Sequence, residues 1–173
     1  IESTSFINGP AVKDFRTNLS SYLDNCFVVP CANGTDALQI SMMALGLNPG
    51  DEVIVPSFTY AATAEVIALL GLIPTFVDVD ENTFNINTEK IEEAISSKTR
   101  AVVPVHLFGQ SADMEPILTI IAGKNIYVIE DLAQSIGAKY TFENGSEKFC
   151  GNMGDMGATS FFPSKNLGCF GDG

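Results

Sequence analysis

Glu52-Val53-Ile54-Val55, a helix-spaced run from about Ala61 to Leu70, the stop at Gly71, and Ile73-Pro74-Thr75-Phe76-Val77 follow one another without a linker. The first and last segments are short, apolar and rich in β-branched residues, as strands buried on both faces are. The run between them repeats at helical spacing and ends at a glycine, a helix stop. Strand, helix, strand in so few residues predicts a parallel pair with a crossover helix. The turn Asn48-Pro49-Gly50-Asp51 leads into the first of these strands.

The same alternation extends in both directions. Upstream, Val12, Phe15, Leu19 and Tyr22 space an amphipathic helix, Phe27 to Cys31 reads as a short buried strand, and Asn33-Gly34-Thr35 opens a helix that runs to Leu45 and stops at Gly46. Downstream come a helix from Thr88 to Ile95, a strand from Ala101 to Val105, a helix from an Asp113 N-cap to Ala122, and a strand from Ile126 to Glu130. Gly137 to Phe142, the turn Glu143-Asn144-Gly145-Ser146 and Lys148-Phe149 predict a hairpin set before a last strand, Ala158 to Phe161. The fold class is α/β, a three-layer α/β/α arrangement about a mainly parallel sheet. With no repeat, low-complexity tract or linker, residues 1–173 read as one domain.

Composition narrows the functions available. The formal charge is −12, from 21 acidic and 9 basic residues. That opposes a nucleic-acid partner, which needs a basic face, but not a small anion, which helix N-termini and backbone N–H groups can hold. No apolar run reaches the roughly 18 residues that span a bilayer, and Ile1-Glu2-Ser3-Thr4-Ser5 lacks the basic start of a signal peptide, so a cytoplasmic protein without a membrane partner is expected. Cys26, Cys31, Cys150 and Cys169 form no CxxC pair and, with a single histidine, no zinc ligand set; they read as reduced packing thiols. The chain starts without methionine and stops in Gly171-Asp172-Gly173, a stretch of mid-structure character, so it is expected to be a truncated piece of a longer protein.

In an open α/β sheet the ligand crevice lies beyond the carboxyl ends of the strands, so chemistry is sought in the segments that follow them. Lys165, in Ser160-Phe161-Phe162-Pro163-Ser164-Lys165-Asn166-Leu167-Gly168, lies between apolar and small turn residues. Such a setting partly desolvates an amine, frees its lone pair and suits a Schiff base. Asp131-Leu132-Ala133-Gln134 puts a carboxylate at the end of a buried strand and an amide three residues on. A buried Asp needs a partner, and a protonated pyridine nitrogen would be one. Gly34 lets backbone approach a ligand and Thr35 adds a hydroxyl at a helix start, which suits a phosphate, as does the Ser160 hydroxyl; Tyr60 could stack on a planar ring. Each has a structural alternative, a cap or a packing contact, but Lys with Asp points specifically to pyridoxal phosphate. His106, the single histidine, reads as a satisfied structural residue at a strand end, and Asp78-Val79-Asp80-Glu81 as a solvated turn and not a metal site. No GxxxxGK[ST] or GxGxxG motif occurs.

Five ordered motifs resemble the DegT/DnrJ/EryC1/StrS family, pyridoxal-phosphate-dependent nucleotide-sugar aminotransferases of fold type I. They are Asn33 to Leu38, Pro49 to Tyr60, Phe76-Val77-Asp78-Val79-Asp80, Glu130 to Ser135, and Ser160 to Gly168. The resemblance implies that Lys165 binds the cofactor covalently and later carries protons, that Asp131 pairs with the pyridine nitrogen, and that Gln134 bonds the ring's phenolic oxygen. It also implies that Tyr60 stacks on the ring and that Gly34, Thr35 and Ser160 hold the phosphate. Cys31 to Ile40, Phe161 to Lys165 and Leu167-Gly168-Cys169 resemble members that aminate the C3 ketone of a UDP-linked N-acetylhexosamine or its uronic acid. An amino-acid donor, L-glutamate, a keto-sugar nucleotide acceptor, a role in cell-surface polysaccharide synthesis and a homodimer with shared active sites follow from the same resemblance. Family members continue through the rest of the large domain into a small C-terminal domain, absent from this chain. Two rivals stand beside this reading: a catalytically silent truncated module, and a sugar dehydratase of the same family. Dehydratases replace the cofactor lysine with histidine, and Lys165 counts against them.

Overall fold

The computed structural model describes residues 8–173; the opening run read for a targeting signal lies outside them. The chain forms two compact units, Ile1–Cys31 and Ala32–Gly173. The described part of the first unit holds helix α1, Pro10–Tyr22, with proline in its first turn, where a missing N–H costs nothing. The expected strand at Phe27 to Cys31 does not form, and Phe27 and Val29 are 91% and 65% exposed. An apolar run shows that its side chains favour cover, not that a neighbouring strand supplies it, and Pro30 removes one ladder donor.

The second unit carries the sheet. Its elements are α2 (Gly34–Ala44), β1 (Glu52–Pro56), α3 (Ala62–Leu69), β2 (Ile73–Val77), α4 (Thr88–Ala94), β3 (Thr99–Val102), α5 (Met114–Ile121), β4 (Tyr127–Asp131), β5 (Lys139–Thr141), β6 (Glu147–Phe149) and β7 (Met156–Ala158). Five strands pair in the order β2-β1-β3-β4-β7, every pair parallel, while β5 and β6 form the expected antiparallel hairpin.

Successive side chains of a strand face opposite sides, and β1 shows both layers. Val53 and Val55 join Leu38, Met42, Val66, Ile67 and Ile129, so α2 and α3 cover one face. Ile54 joins Ile91, Val102, Met114, Ile117 and Val128, so α4 and α5 cover the other. The two buried clusters are the outer contacts of a three-layer α/β/α unit.

Strands β1 and β4 differ by one residue from the sequence reading, and two other strand limits differ by more. The strand expected over Ala101 to Val105 is Thr99–Val102, because Pro104 has no N–H; a single parallel bridge, Val105 to Asp131, continues beyond it. The strand expected over Ala158 to Phe161 is Met156–Ala158. Past it the backbone turns to its own distal segment, with Phe161 N–H donating to Gly173 O and Cys169 N–H to Phe161 O. Asp113 precedes α5 but makes no side-chain cap; its Oδ1 accepts the Tyr140 hydroxyl at 2.5 Å instead. Among the described residues, no helix is long and apolar enough to cross a membrane.

Candidate active site

All five parallel strands end on one edge of the sheet, and strand order reverses between β1 and β3, where connections leave in opposite directions and open a crevice. Ser57–Tyr60 follows β1, Pro104–Gly109 follows β3, β4 ends at Asp131, and Thr159–Lys165 follows β7.

Asp131 is 6% exposed. Its Oδ2 accepts from Thr63 Oγ1 at 2.8 Å and its Oδ1 from Ala133 N–H at 3.1 Å. Its backbone is pinned as well, N–H to Pro104 O and O to His106 N–H, each at 2.9 Å. Burial raises the carboxyl above its ordinary range, against the Ala133 amide, the Thr63 hydroxyl and the charge on Lys165. A carboxyl so placed is costly to ionise until a cation reaches it.

The phosphate corner is a close contact between the first residue of α2 and the segment after β7. A Cβ placed on Gly34 would lie 2.7 Å from Ser160 Cβ, 3.2 Å from Ser160 Oγ and 3.3 Å from Thr159 O. Only glycine fits there. Asn33 Oδ1 caps the helix by accepting from Asp36 N–H at 2.8 Å, and the N-terminal amides of the α2 first turn, whose exposed second residue is Thr35, are a ready anion site. Ser160, 7% exposed, accepts from Phe162 N–H at 3.3 Å.

Lys165 is half-buried within a turn, its N–H bonded to Phe162 O at 2.8 Å and its O to Gly168 N–H at 3.0 Å. A Cβ on Gly168 would fall 2.2 Å from Pro163 O, so this turn also requires a glycine. The Nζ stands 5.7 Å from the centroid of Tyr60, whose ring is 70% exposed at the end of β1. A cavity of about 390 Å³ is lined by Phe108, Gln134, Ser164, Lys165 and Asn166. The orientation of Gln134 follows from its partner: Phe108 N–H donates to Oε1 at 3.0 Å, and because a backbone amide can only donate, the side-chain NH₂ lies on the opposite side.

Lys165 therefore shares a cavity with Gln134, stands over Tyr60 and acts electrostatically on Asp131, while Gly34 meets Ser160. The residues fit pyridoxal phosphate on this structure's own terms. Among the described residues a buried carboxyl lacks a cationic partner in hydrogen-bond contact, a side-chain-free cradle adjoins a helix N-terminus, and an amine shares a cavity with an amide.

Three features escaped the sequence reading. Thr63 orients Asp131, and its signal was a lone hydroxyl residue in a largely apolar helix. Glu130 is fully buried on β4, adjoining Asp131, where its Oε2 accepts from His106 Nε2 at 2.9 Å and Gly151 N–H at 2.8 Å. Its Oε1 accepts from Met153 N–H at 2.7 Å and Gly154 N–H at 2.6 Å. The signal was a carboxylate inside a predicted buried strand. Burial would raise its pKa, but the His106 ring and the Gly154 and Gly151 amides hold it below the ordinary value. His106 is structural, as expected: fully buried, it also accepts Ala112 N–H on Nδ1 at 2.9 Å. Burial disfavours charge on the ring, while its interactions with Cys150 and Glu130 favour it. The Ala112 amide settles the matter, since an N–H aimed at Nδ1 leaves no room for a second ring proton, and the imidazole is neutral with its proton on Nε2. The third feature is Phe108, whose backbone is left-handed, with φ 56° and ψ 25°.

Known proteins resemble this chain over nearly all of its length. The model of the DegT/DnrJ/EryC1/StrS aminotransferase family matches residues 1–173. UDP-2-acetamido-2-deoxy-3-oxo-D-glucuronate aminotransferase of Pseudomonas aeruginosa is 49% identical over 168 residues, covering 97% of this chain and 45% of that protein. A DegT DnrJ EryC1 StrS aminotransferase from Brucella abortus superposes with a TM-score of 0.92 at 46% identity, over 99% of this chain and 46% of that one. S. venezuelae DesV, solved in complex with a ketimine intermediate, gives a TM-score of 0.92 at 37% identity, over 99% of this chain and 45% of its own. The chain thus spans a little under half the length of the relatives it matches.

Proposed function

We propose a function from one premise: the chain belongs to the DegT/DnrJ/EryC1/StrS aminotransferase family. The whole protein of which it is part is read as an aminotransferase that moves an amino group from an amino acid, L-glutamate, to a keto-sugar nucleotide. The sugar carbon is C3 of a UDP-linked N-acetylhexosamine or its uronate, a reading supported by the similarity to the Pseudomonas aeruginosa enzyme. Residues 1–173 then form part of a large cofactor-binding domain, with a smaller C-terminal domain and a second subunit completing the active sites of a cytoplasmic homodimer.

Pyridoxal phosphate, when bound, supplies an electron sink that stores the amino group between two half-reactions. The residues of this chain hold and orient it. Asp131 places a carboxylate for the ring nitrogen, and the ring's positive charge offsets the burial that otherwise keeps that carboxyl from ionising. Gln134 turns its NH₂ away from Phe108, leaving a donor for the phenolic oxygen. Tyr60 offers its exposed ring for stacking, and Gly34, Thr35 and Ser160 form the phosphate corner. Lys165 Nζ would hold the cofactor covalently, and the same amine would carry protons during the reaction.

One observation carries this reading: the cavity that Lys165 shares with Gln134, three residues beyond the buried Asp131. The dehydratase alternative is disfavoured by the lysine itself. The test uses the full-length protein, given L-glutamate and a panel of keto-sugar nucleotides. Wild type is expected to show the visible absorbance of the lysine-bound cofactor, lose it with glutamate and regain it with one acceptor. Lys165→Ala should show no such absorbance. A folded wild-type protein that never takes up cofactor, as the silent-module reading requires, overturns the proposal.

A further inference from the structure

Phe108 combines two unfavourable features at one position. Its backbone lies in the left-handed region, where a bulky L-residue stays only when surrounding structure holds it. Its side chain is 70% exposed, so burial of the ring does not compensate. Phe84 also has a positive φ, 59°, but its ring rests 5.6 Å from that of Phe58. Phe108 has no such aromatic partner among the described residues. What holds it is local to the site: Gln134 Oε1 on its N–H, Gly109 following at φ 84°, and the Gln110 N–H bond to Leu107 O at 3.0 Å.

The consequence is positional. The residue clamped by Gln134 lines the same cavity as Lys165, Ser164 and Asn166, so an aromatic surface stands beside polar groups around the reactive amine. Apolar surface with a few polar groups is what a small-molecule site needs, and the C–H face of a pyranose is a natural complement to an aromatic ring. We infer that Phe108 is a substrate-positioning residue: its strained backbone holds the ring as a wall against which the sugar of the incoming nucleotide sugar packs, while Gln134 keeps that wall in register with the cofactor. This rests on the aminotransferase reading above and adds to it a contact for the sugar, not for the nucleotide or the cofactor.

The experiment compares Phe108→Ala and Phe108→Tyr with wild type in the full-length holoenzyme. For Phe108→Ala, KM for the accepted keto-sugar nucleotide is expected to rise about tenfold or more, equivalent to about 1.4 kcal/mol. Visible cofactor absorbance, the glutamate half-reaction and inhibition by UDP alone should stay within about twofold of wild type, as expected for loss of a sugar contact only. Phe108→Tyr, which keeps the ring, should recover most of the KM. An unchanged KM, an equal weakening of UDP, or dissociation of the dimer by Phe108→Ala overturns the inference while leaving the aminotransferase assignment intact. A wild-type enzyme that aminates no keto-sugar nucleotide removes both.

Discussion

Replacing Glu130 by Gln changes one atom and one charge at a site where four donors converge. Oε1 accepts two backbone N–H groups, from Met153 and Gly154, and Oε2 accepts Gly151 N–H and His106 Nε2. Gln offers one accepting oxygen and one NH₂, so whichever way the amide turns, two donors face a donor. His106 cannot rescue the pair by moving its proton, because Nδ1 already accepts Ala112 N–H. Leaving a buried donor unsatisfied costs about 1–3 kcal/mol, so two cost about 2–6 kcal/mol. Gly151 and Gly154 are half-buried and can relax toward water, which favours the lower half of that range, roughly 2–4 kcal/mol. Hydrogen exchange on the full-length protein reads the effect locally: either the Gly151 amide or the Met153 and Gly154 amides, whichever face the new NH₂, should exchange faster by roughly 30-fold to several hundred-fold, at tenfold per 1.4 kcal/mol. The pH dependence has a definite sign. With the folded pKa below the ordinary carboxyl value, the stabilisation by Glu130 is present above that value and lost as pH falls through the lower, folded one. Acid should therefore destabilise wild type through this group, and Glu130→Gln should lack that component. Exchange at the three amides within about threefold of wild type would falsify the reasoning.

Gly34→Ala forces a Cβ to 2.7 Å from Ser160 Cβ, and the overpacking should cost about 1–3 kcal/mol in thermal unfolding and weaken cofactor binding in titration; a neutral variant refutes the tight corner. Asp131→Asn keeps the Ala133 and Thr63 hydrogen bonds but removes a buried charge. Because the folded carboxyl pKa is raised, ionisation costs stability as pH rises from the unfolded value through the folded one, so the cofactor-free variant should melt higher than wild type at neutral pH yet bind cofactor far more weakly. An equal or lower melting temperature contradicts the assigned burial penalty. Phe108→Gly relieves the left-handed strain and should stabilise the cofactor-free protein by about 1 kcal/mol in denaturant unfolding; destabilisation would show that the ring packs.

Most of the fold was legible because periodicity reports burial. Strands at Glu52 and Ile73, helices stopped by Gly46 and Gly71, and the hairpin about Asn144-Gly145 all depend on patterns within a few residues. Failures came where partners decide. Phe27 to Cys31 is apolar but joins no strand, and the strand expected to reach Phe161 ends at Ala158, because the following backbone pairs with Gly173.

The sequence by itself determined the layer order of helix and strand, and which residue types stand at strand ends: a lysine, an aspartate, a glutamine and a glycine at a helix start. Only the tertiary structure decided how they meet. That Gly34 must be glycine depends on Ser160, that Gln134 turns its NH₂ away from Phe108 depends on an amide 26 residues away, and that Glu130 can be buried ionised depends on four donors from two loops. Hydrophobic patterning is a local property and survives in the linear chain; steric fit and hydrogen-bond polarity are set by atoms that only folding brings together.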